Sequence, residues 1–238
     1  MTINNNSTNY TFIEHLDELK SRIISTLIIL VIATITVFFL HKQIIEVLIK
    51  PLNSPLYYTT PTGGFTFIFD ISLSFGIIMA LPFFLYEIYM FIKPALPLKQ
   101  SVNITSALVS SYLLVICGIA YGYYFSLPIA LNVLKRFGYG QITYLITTDS
   151  YLSFITKYLL GFSILFQLPL ILIMINLFKK LSLLTLIKFE KWLILIAVIS
   201  AAILTPTGDI INQLIMCIPL IVLYQVSILL VVIINRSR

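Results

Sequence analysis

Ile23-Ile24-Ser25-Thr26-Leu27-Ile28-Ile29-Leu30-Val31-Ile32-Ala33-Thr34-Ile35-Thr36-Val37-Phe38-Phe39-Leu40 is an apolar run without a single charge. A helix through it is of the length that crosses the hydrocarbon core of a bilayer, about 30 Å. Charge-poor runs of the same kind recur at about Phe67 to Phe91, Ser106 to Pro128, Tyr151 to Phe178, Trp192 to Leu204 and Leu214 to Ile234. The pattern predicts an all-α integral membrane protein, a single polytopic domain over residues 1–238 with six transmembrane helices. Asp70 and Glu87 sit near the ends of the second run and Lys157 lies inside the fourth, so those boundaries are the loosest. There is no internal repeat of the kind that marks inverted-repeat transporters.

Composition supports the same reading. The 238 residues are 59% hydrophobic and only 10% charged, with a mean hydropathy of +1.03. A soluble domain needs roughly 25% charged residues to wet its surface. The net charge of +6 is scattered between apolar runs, and no cluster of five basic residues suggests a nucleic-acid partner. Cys117 and Cys217 both lie in apolar runs and read as small buried hydrophobes. The Asn/Thr-rich start, Met1 to Thr11, contains no Arg and reads as neither a signal peptide nor an Arg-rich transit peptide.

The basic residues carry orientation. Lys20, Arg22, Lys93, Lys99, Lys179, Lys180, Lys188, Lys191, Arg236 and Arg238 collect on one face of the expected topology, about ten in all. Lys42, Lys50, Lys135, Arg136 and Lys157, about five, fall on the other. The bias predicts both termini inside, on the cytoplasmic side or its organellar equivalent. The sequons at Asn5, Asn9, Asn103 and Asn235 would then face away from glycosylation enzymes and are chance matches. Trp192 to Leu204 spans roughly 20 Å as a helix, well short of a bilayer. Either the membrane thins there and Lys188 and Lys191 snorkel, or neighbouring helices shield the segment.

Several chemistries lack residues. His15 and His41 bracket the first span on opposite faces, which does not make a haem pair. No Gly-rich phosphate loop or zinc-binding His-Glu-x-x-His helix occurs, and no Gly-x-Ser-x-Gly elbow. No acid sits at mid-depth, which weighs against a pump or antiporter.

Four stretches remain. Thr11-Phe12-Ile13-Glu14-His15-Leu16-Asp17-Glu18-Leu19-Lys20-Ser21-Arg22 begins with the form of a capping box, Thr11 with Glu14. Its apolar residues Phe12, Ile13, Leu16, Leu19 and Ile23 share one helix face, and Glu14, Asp17 and Glu18 the other. These acids are either an ordinary solvated face or a carboxylate cluster able to grip a guanidinium. Phe91-Ile92-Lys93-Pro94-Ala95-Leu96-Pro97-Leu98-Lys99-Gln100 is a loop that its prolines stiffen. In Phe166-Gln167-Leu168-Pro169, the proline removes a helix hydrogen bond. Gln167 either satisfies the freed groups or seeks a helix of another subunit. Leu204-Thr205-Pro206-Thr207-Gly208-Asp209-Ile210-Ile211-Asn212-Gln213 is a Pro/Gly turn on the outer face that joins the fifth span to the sixth.

In this order the stretches resemble the TatC family, the polytopic component of twin-arginine protein translocases. The resemblance runs over nearly the whole chain: His15-Leu16-x-Glu18-Leu19-Lys20-x-Arg22, Lys50-Pro51-Leu52, Thr60-Pro61-Thr62, Pro82 with Tyr86, Phe91-x-x-Pro94-Ala95-Leu96, Tyr151-Leu152-Ser153-Phe154, Phe166-x-x-Pro169, Thr205-Pro206-x-x-Asp209 and Ile218-Pro219. It implies a curved, glove-like bundle with short fifth and sixth spans. It also implies a non-enzymatic receptor that binds twin-arginine signal peptides and passes folded proteins across a membrane on the proton-motive force. TatA-like or TatB-like single-span subunits, and further copies of the chain, would be its partners.

The resemblance assigns signal-peptide binding to Glu18 and to an inside-loop acid whose place is taken here by the neutral Gln100. Glu14 and Asp17 are candidates to compensate, with Lys20, Arg22, Phe91 and Pro94 around them. The family's mid-membrane Glu of span four, linked to partner-helix docking, is here Gln167, beside Pro169. Pro51, Thr60, Pro61, Pro206 and Asp209 fall in outer-face loops. The two Gln departures, and about forty Ile against nine Ala, fit a divergent, organelle-encoded member. The mitochondrial inner membrane is the favoured location, with a plastid thylakoid or bacterial plasma membrane as alternatives. The rival function is a small-molecule transporter or channel, suggested by polar residues in the spans.

Overall fold

The computed structural model describes residues 12–52, 56–57, 60–92, 104–136, 146–178, 180–204 and 210–236. Helix α1, Phe12–Ile49, is continuous through the amphipathic start and the first apolar run. At 1.5 Å per residue it reaches about 57 Å, far longer than the 23–40 run alone. Nothing between Phe12 and Ile49 breaks a helix, and Pro51 stops it. Helix α2, Gly63–Ile92, carries Pro82 in its interior.

The third run is one helical rod with a defect. Helix α3, Ile104–Tyr121, passes through a π turn, Gly122–Ser126, into α4, Leu127–Arg136. Pro128 has no N–H to give the Tyr124 carbonyl, and just before it the Leu127 N–H reaches back five residues to Gly122 O. The fourth run is broken: α5, Thr148–Leu165, stops before Phe166 and Gln167, and α6, Leu168–Phe178, restarts beyond them. Thr147 caps α5 by accepting from the Ser150 N–H at 3.3 Å.

Helix α7, Leu183–Leu204, has 22 residues, capped by Ser182 accepting from the Thr185 N–H at 3.1 Å. Its charge-free part is still only Trp192 to Leu204, because Lys188, Glu190 and Lys191 occupy its first half. Helix α8, Ile210–Arg236, runs 27 residues, with Pro219 inside. As a helix it is about 40 Å long, so the expected shortness of the sixth span is not seen. Charge-free shortness belongs to the fifth alone. Among the described residues, five stretches qualify by length and composition as membrane spans: Leu16–Ile49, Gly63–Ile92, Ser106–Asn132, Thr148–Leu177 and Cys217–Arg236. The charges of α7 leave it outside that set, which makes the chain a multi-pass protein with one atypical helix.

Packing fixes which helix ends meet. The start of α1 touches the end of α2 through Arg22 and Glu87. The end of α2 meets the end of α6 through Tyr89 and Leu177. Asn176 near the end of α6 then exchanges amide hydrogen bonds with Asn235 at the end of α8, at 3.0 and 3.3 Å. The described ends of the chain therefore share one end of the bundle. At the opposite end, Tyr57 bridges to Thr147, and Tyr151 donates to the Leu48 carbonyl at 2.9 Å.

The largest buried cluster lies toward that opposite end and includes Leu48, Phe67, Leu127, Leu152, Tyr158 and Phe162. Between helices in lipid, close approach at small residues does much of the work that the hydrophobic effect does in water. A Cβ at Gly76 would lie 2.9 Å from the Thr34 Cα on α1. That position has room for nothing larger, and it lets α1 and α2 pack along their length.

Candidate functional site

Among the described residues, the end of the bundle where α1 begins holds the most developed charged constellation. Glu18 and Arg22 are one helical turn apart on α1, the spacing at which acid and base face each other. The Arg22 guanidinium donates to Glu18 Oε1 from Nη2 at 2.9 Å and from Nε at 3.3 Å. Its other edge donates from Nη1 to Glu87 Oε2 at 2.8 Å. Ser25 Oγ donates to the second oxygen of Glu87 at 2.8 Å, and Thr26 ties its hydroxyl to the Arg22 carbonyl. One guanidinium is thus gripped from two sides by two carboxylates.

Burial grades across this triad. The Glu87 side chain is 11% exposed, whereas those of Arg22 and Glu18 are each 23% exposed. Glu87 is the inner wall and Glu18 the outer one. Isolated acids are costly in a membrane-spanning helix and persist when paired, and here the pairing is complete. Beside the triad lies a cavity of about 290 Å³, walled by Leu19, Ile23 and Leu27 of α1 and Phe84, Ile88 and Phe91 of α2. Arg22 and Glu87 form its polar edge.

Among the residues expected at a binding site, the structure brings together Glu18, Arg22 and Phe91. Asp17 and Lys20 are exposed on the same helix. Glu14 belongs to α1, but its side chain is outside the described residues, as are Pro94 and Gln100 in the loop after α2. Pro206 and Asp209 also lie outside them. Pro51, half-buried, and Thr60 and Pro61, exposed, sit at the far end of the bundle.

Gln167 is not beside the triad. It occupies the break between α5 and α6, 1% exposed, where its Oε1 accepts from Ser111 Oγ at 2.7 Å and its Nε2 donates to the Ser111 carbonyl at 3.2 Å. Of the two readings left open for it, satisfaction within the chain is what the geometry shows, though its partner is α3 rather than the carbonyl that Pro169 frees. Pro169, buried, follows directly in α6.

Glu87 is the residue that sequence reasoning missed. It was legible as an acid near the end of an apolar span, at the end where basic residues gather. Its partner lies 65 positions away, and no spacing rule reaches that far. Among the described residues no group of His, Cys, Asp and Glu could hold a metal ion.

A multi-pass helical membrane protein with two carboxylates and a guanidinium joined beside an apolar groove at one end is the class that these features define. The chain belongs to the TatC family: the model of the Sec-independent protein translocase protein (TatC) matches residues 14–219. The Sec-independent protein translocase protein TatC of Aquifex aeolicus (strain VF5) is 33% identical over 232 residues, 94% of this chain and 96% of that protein. A TatC-like protein of Gracilaria tenuistipitata var. liui is 31% identical, with 98% of each chain covered. A crystal structure of the twin-arginine translocase receptor TatC in DDM superposes with a TM-score of 0.79 at 34% identity, covering 91% of this chain and 99% of that one.

Proposed function

We propose that this chain is the receptor subunit of a twin-arginine protein translocase and that the Glu18 end of α1 receives the arginine-bearing signal peptide. The observation that carries the reading is the guanidinium of Arg22 held on Glu18 beside an apolar groove. A carboxylate accepts two N–H donors of a guanidinium fork, geometry that an ammonium does not reproduce. Asp17, Glu14 and Lys20 on α1, with Phe91 at the end of α2 and Pro94 and Gln100 beyond it, complete the proposed face. Gln100 contributes a neutral acceptor where a carboxylate would add charge.

Single-span TatA-like or TatB-like subunits and further copies of the chain are the partners we propose. Since Gln167 is turned inward, its part in docking a partner helix would be indirect, through the break it shares with Pro169. The basic bias of the shared chain end supports an inside location for both termini, and transport would draw on the proton-motive force. The isoleucine-rich composition supports an organelle genome, with the mitochondrial inner membrane as the proposed location. Fractionation against mitochondrial and plastid markers tests it.

The function is tested with photo-crosslinkers at Leu19 and Gln100. They are expected to capture a twin-arginine precursor, with capture falling sharply in Glu18→Ala. Unchanged capture in that variant would remove Glu18 from the site.

A further inference from the structure

We infer that Arg22 is a resident competitor for the ligand's guanidinium and that Glu87 is the positioning residue that lets Arg22 give up Glu18. The inference rests on the receptor reading above and specifies how its site opens. It begins with an oddity of the geometry: in the free chain, the carboxylate offered to a ligand arginine already holds an arginine. Arg22 places Nη2 and Nε on Glu18 at 2.9 and 3.3 Å and Nη1 on Glu87 at 2.8 Å.

Each contact has a different task. The outer one, with Glu18, is an i,i+4 pair on a partly exposed helix face, the kind that exchanges readily. The inner one, with Glu87, is more buried and is braced by Ser25 on the second carboxylate oxygen. A cation left without a partner in that setting is strongly penalised. If Glu18 turns to an incoming guanidinium, Arg22 keeps Glu87, so no buried charge is orphaned. Without Glu87, Arg22 would have Glu18 as its sole carboxylate among the contacts described and would hold it more tightly.

Charge points the same way. Glu18, Glu87 and Arg22 sum to one net negative charge, and a further guanidinium neutralises the set. The ligand chemistry is therefore a peptide arginine followed by an apolar segment able to lie in the groove formed by Leu19, Ile23, Phe84 and Ile88. Because the competitor is itself a forked guanidinium, an ammonium ligand, with no fork to match it, displaces it poorly.

The test is an epistasis experiment on the full chain in detergent or bicelles, using a fluorescent synthetic twin-arginine peptide and its twin-lysine counterpart. Glu87→Gln is expected to weaken binding of the arginine peptide by about three- to tenfold. Arg22→Gln is expected to strengthen it and to narrow the preference for arginine over lysine. The double variant is expected to return to wild-type affinity or better. A residue with a merely structural role would not be rescued by removing its partner. Wild-type binding in Glu87→Gln, or a double variant no better than Glu87→Gln, overturns the inference. Ser25→Ala, which removes only the brace on Glu87, supplies a milder form of the same defect if Glu87→Gln does not fold. If Glu18→Ala leaves peptide binding intact, it is the receptor reading that fails.

Discussion

The link between Gln167 and Ser111 yields a quantitative prediction. Two hydrogen bonds join the pair, the Ser111 hydroxyl to Oε1 at 2.7 Å and Nε2 to the Ser111 carbonyl at 3.2 Å. Gln167 is 1% exposed, and Ser111 is likewise 1% exposed. Hydrogen bonds between membrane helices are worth about 0.6 kcal/mol on average and about 1.7 at most. Two bonds made by one pair therefore imply a coupling of about 1–2 kcal/mol.

The single variants should not cost much more than the coupling itself. In Gln167→Leu, the Ser111 hydroxyl can turn back to a carbonyl of its own helix. The apolar side chain also leaves no orphan of its own. The expected loss is about 1–2 kcal/mol, or a fall in Tm of about 2–8 °C for a chain of this size. The assay is unfolding of the full chain in bicelles for Gln167→Leu, Ser111→Ala and the double variant. If the two single losses add to the double loss within about 0.3 kcal/mol, the pair is uncoupled and the bidentate reading is wrong.

Four further variants have defined outcomes, one at the same link and three elsewhere in the fold. Gln167→Glu puts an oxygen in place of the donating Nε2 before the Ser111 carbonyl, so its loss of stability should exceed that of Gln167→Leu, and equal or higher stability would contradict the assignment. Gly76→Val is expected to cost at least about 1–3 kcal/mol, because a Cβ 2.9 Å from the Thr34 backbone cannot be relieved by rotating a side chain. It should also reduce peptide capture, since α1 would no longer lie on α2. Asn176→Leu strips the Leu181 N–H of its 2.8 Å acceptor and leaves Asn235 with only the Leu181 carbonyl, and unfolding should register about 1–3 kcal/mol. Lys188→Leu with Lys191→Leu lengthens the apolar part of α7, and reconstitution in phosphatidylcholines of graded chain length should move the optimum of peptide binding toward thicker bilayers. An unmoved optimum would mean that α7 is matched by its neighbours rather than by lipid.

The helices were legible because apolar runs and prolines act locally. Pro51 ends α1, and Gln167 with Pro169 marks the division of the fourth run, which the structure resolves into α5 and α6. The length of α1 was not legible from hydropathy, because its first turns are polar and yet nothing in them interrupts helical hydrogen bonding. The sixth helix was expected to be short by resemblance, but Ile210 to Arg236 forms one uninterrupted helix that Pro219 does not break. Of the site, Glu18 and Arg22 could be paired by their spacing alone. Glu87 could not, because pairing across helices depends on how α1 and α2 register, and that register is set by Gly76 against Thr34 rather than by any charged residue.

That register has a consequence for how the site works. Helices α1 and α2 run antiparallel, so a close approach at Gly76 and Thr34, near the middle of both, fixes where their far ends meet. The ends meet at Arg22 and Glu87, with an open apolar groove beside them instead of a filled interface. A small residue deep in the bundle thus holds two acids and one base within reach of each other at its end. The acid of the inner wall is satisfied before any ligand arrives, and the acid of the outer wall is the more exposed of the two. A receptor built this way need not leave a bare carboxylate in a membrane interface while it waits. It keeps its binding carboxylate hydrogen-bonded to its own Arg22 and releases it only to a group of the same shape.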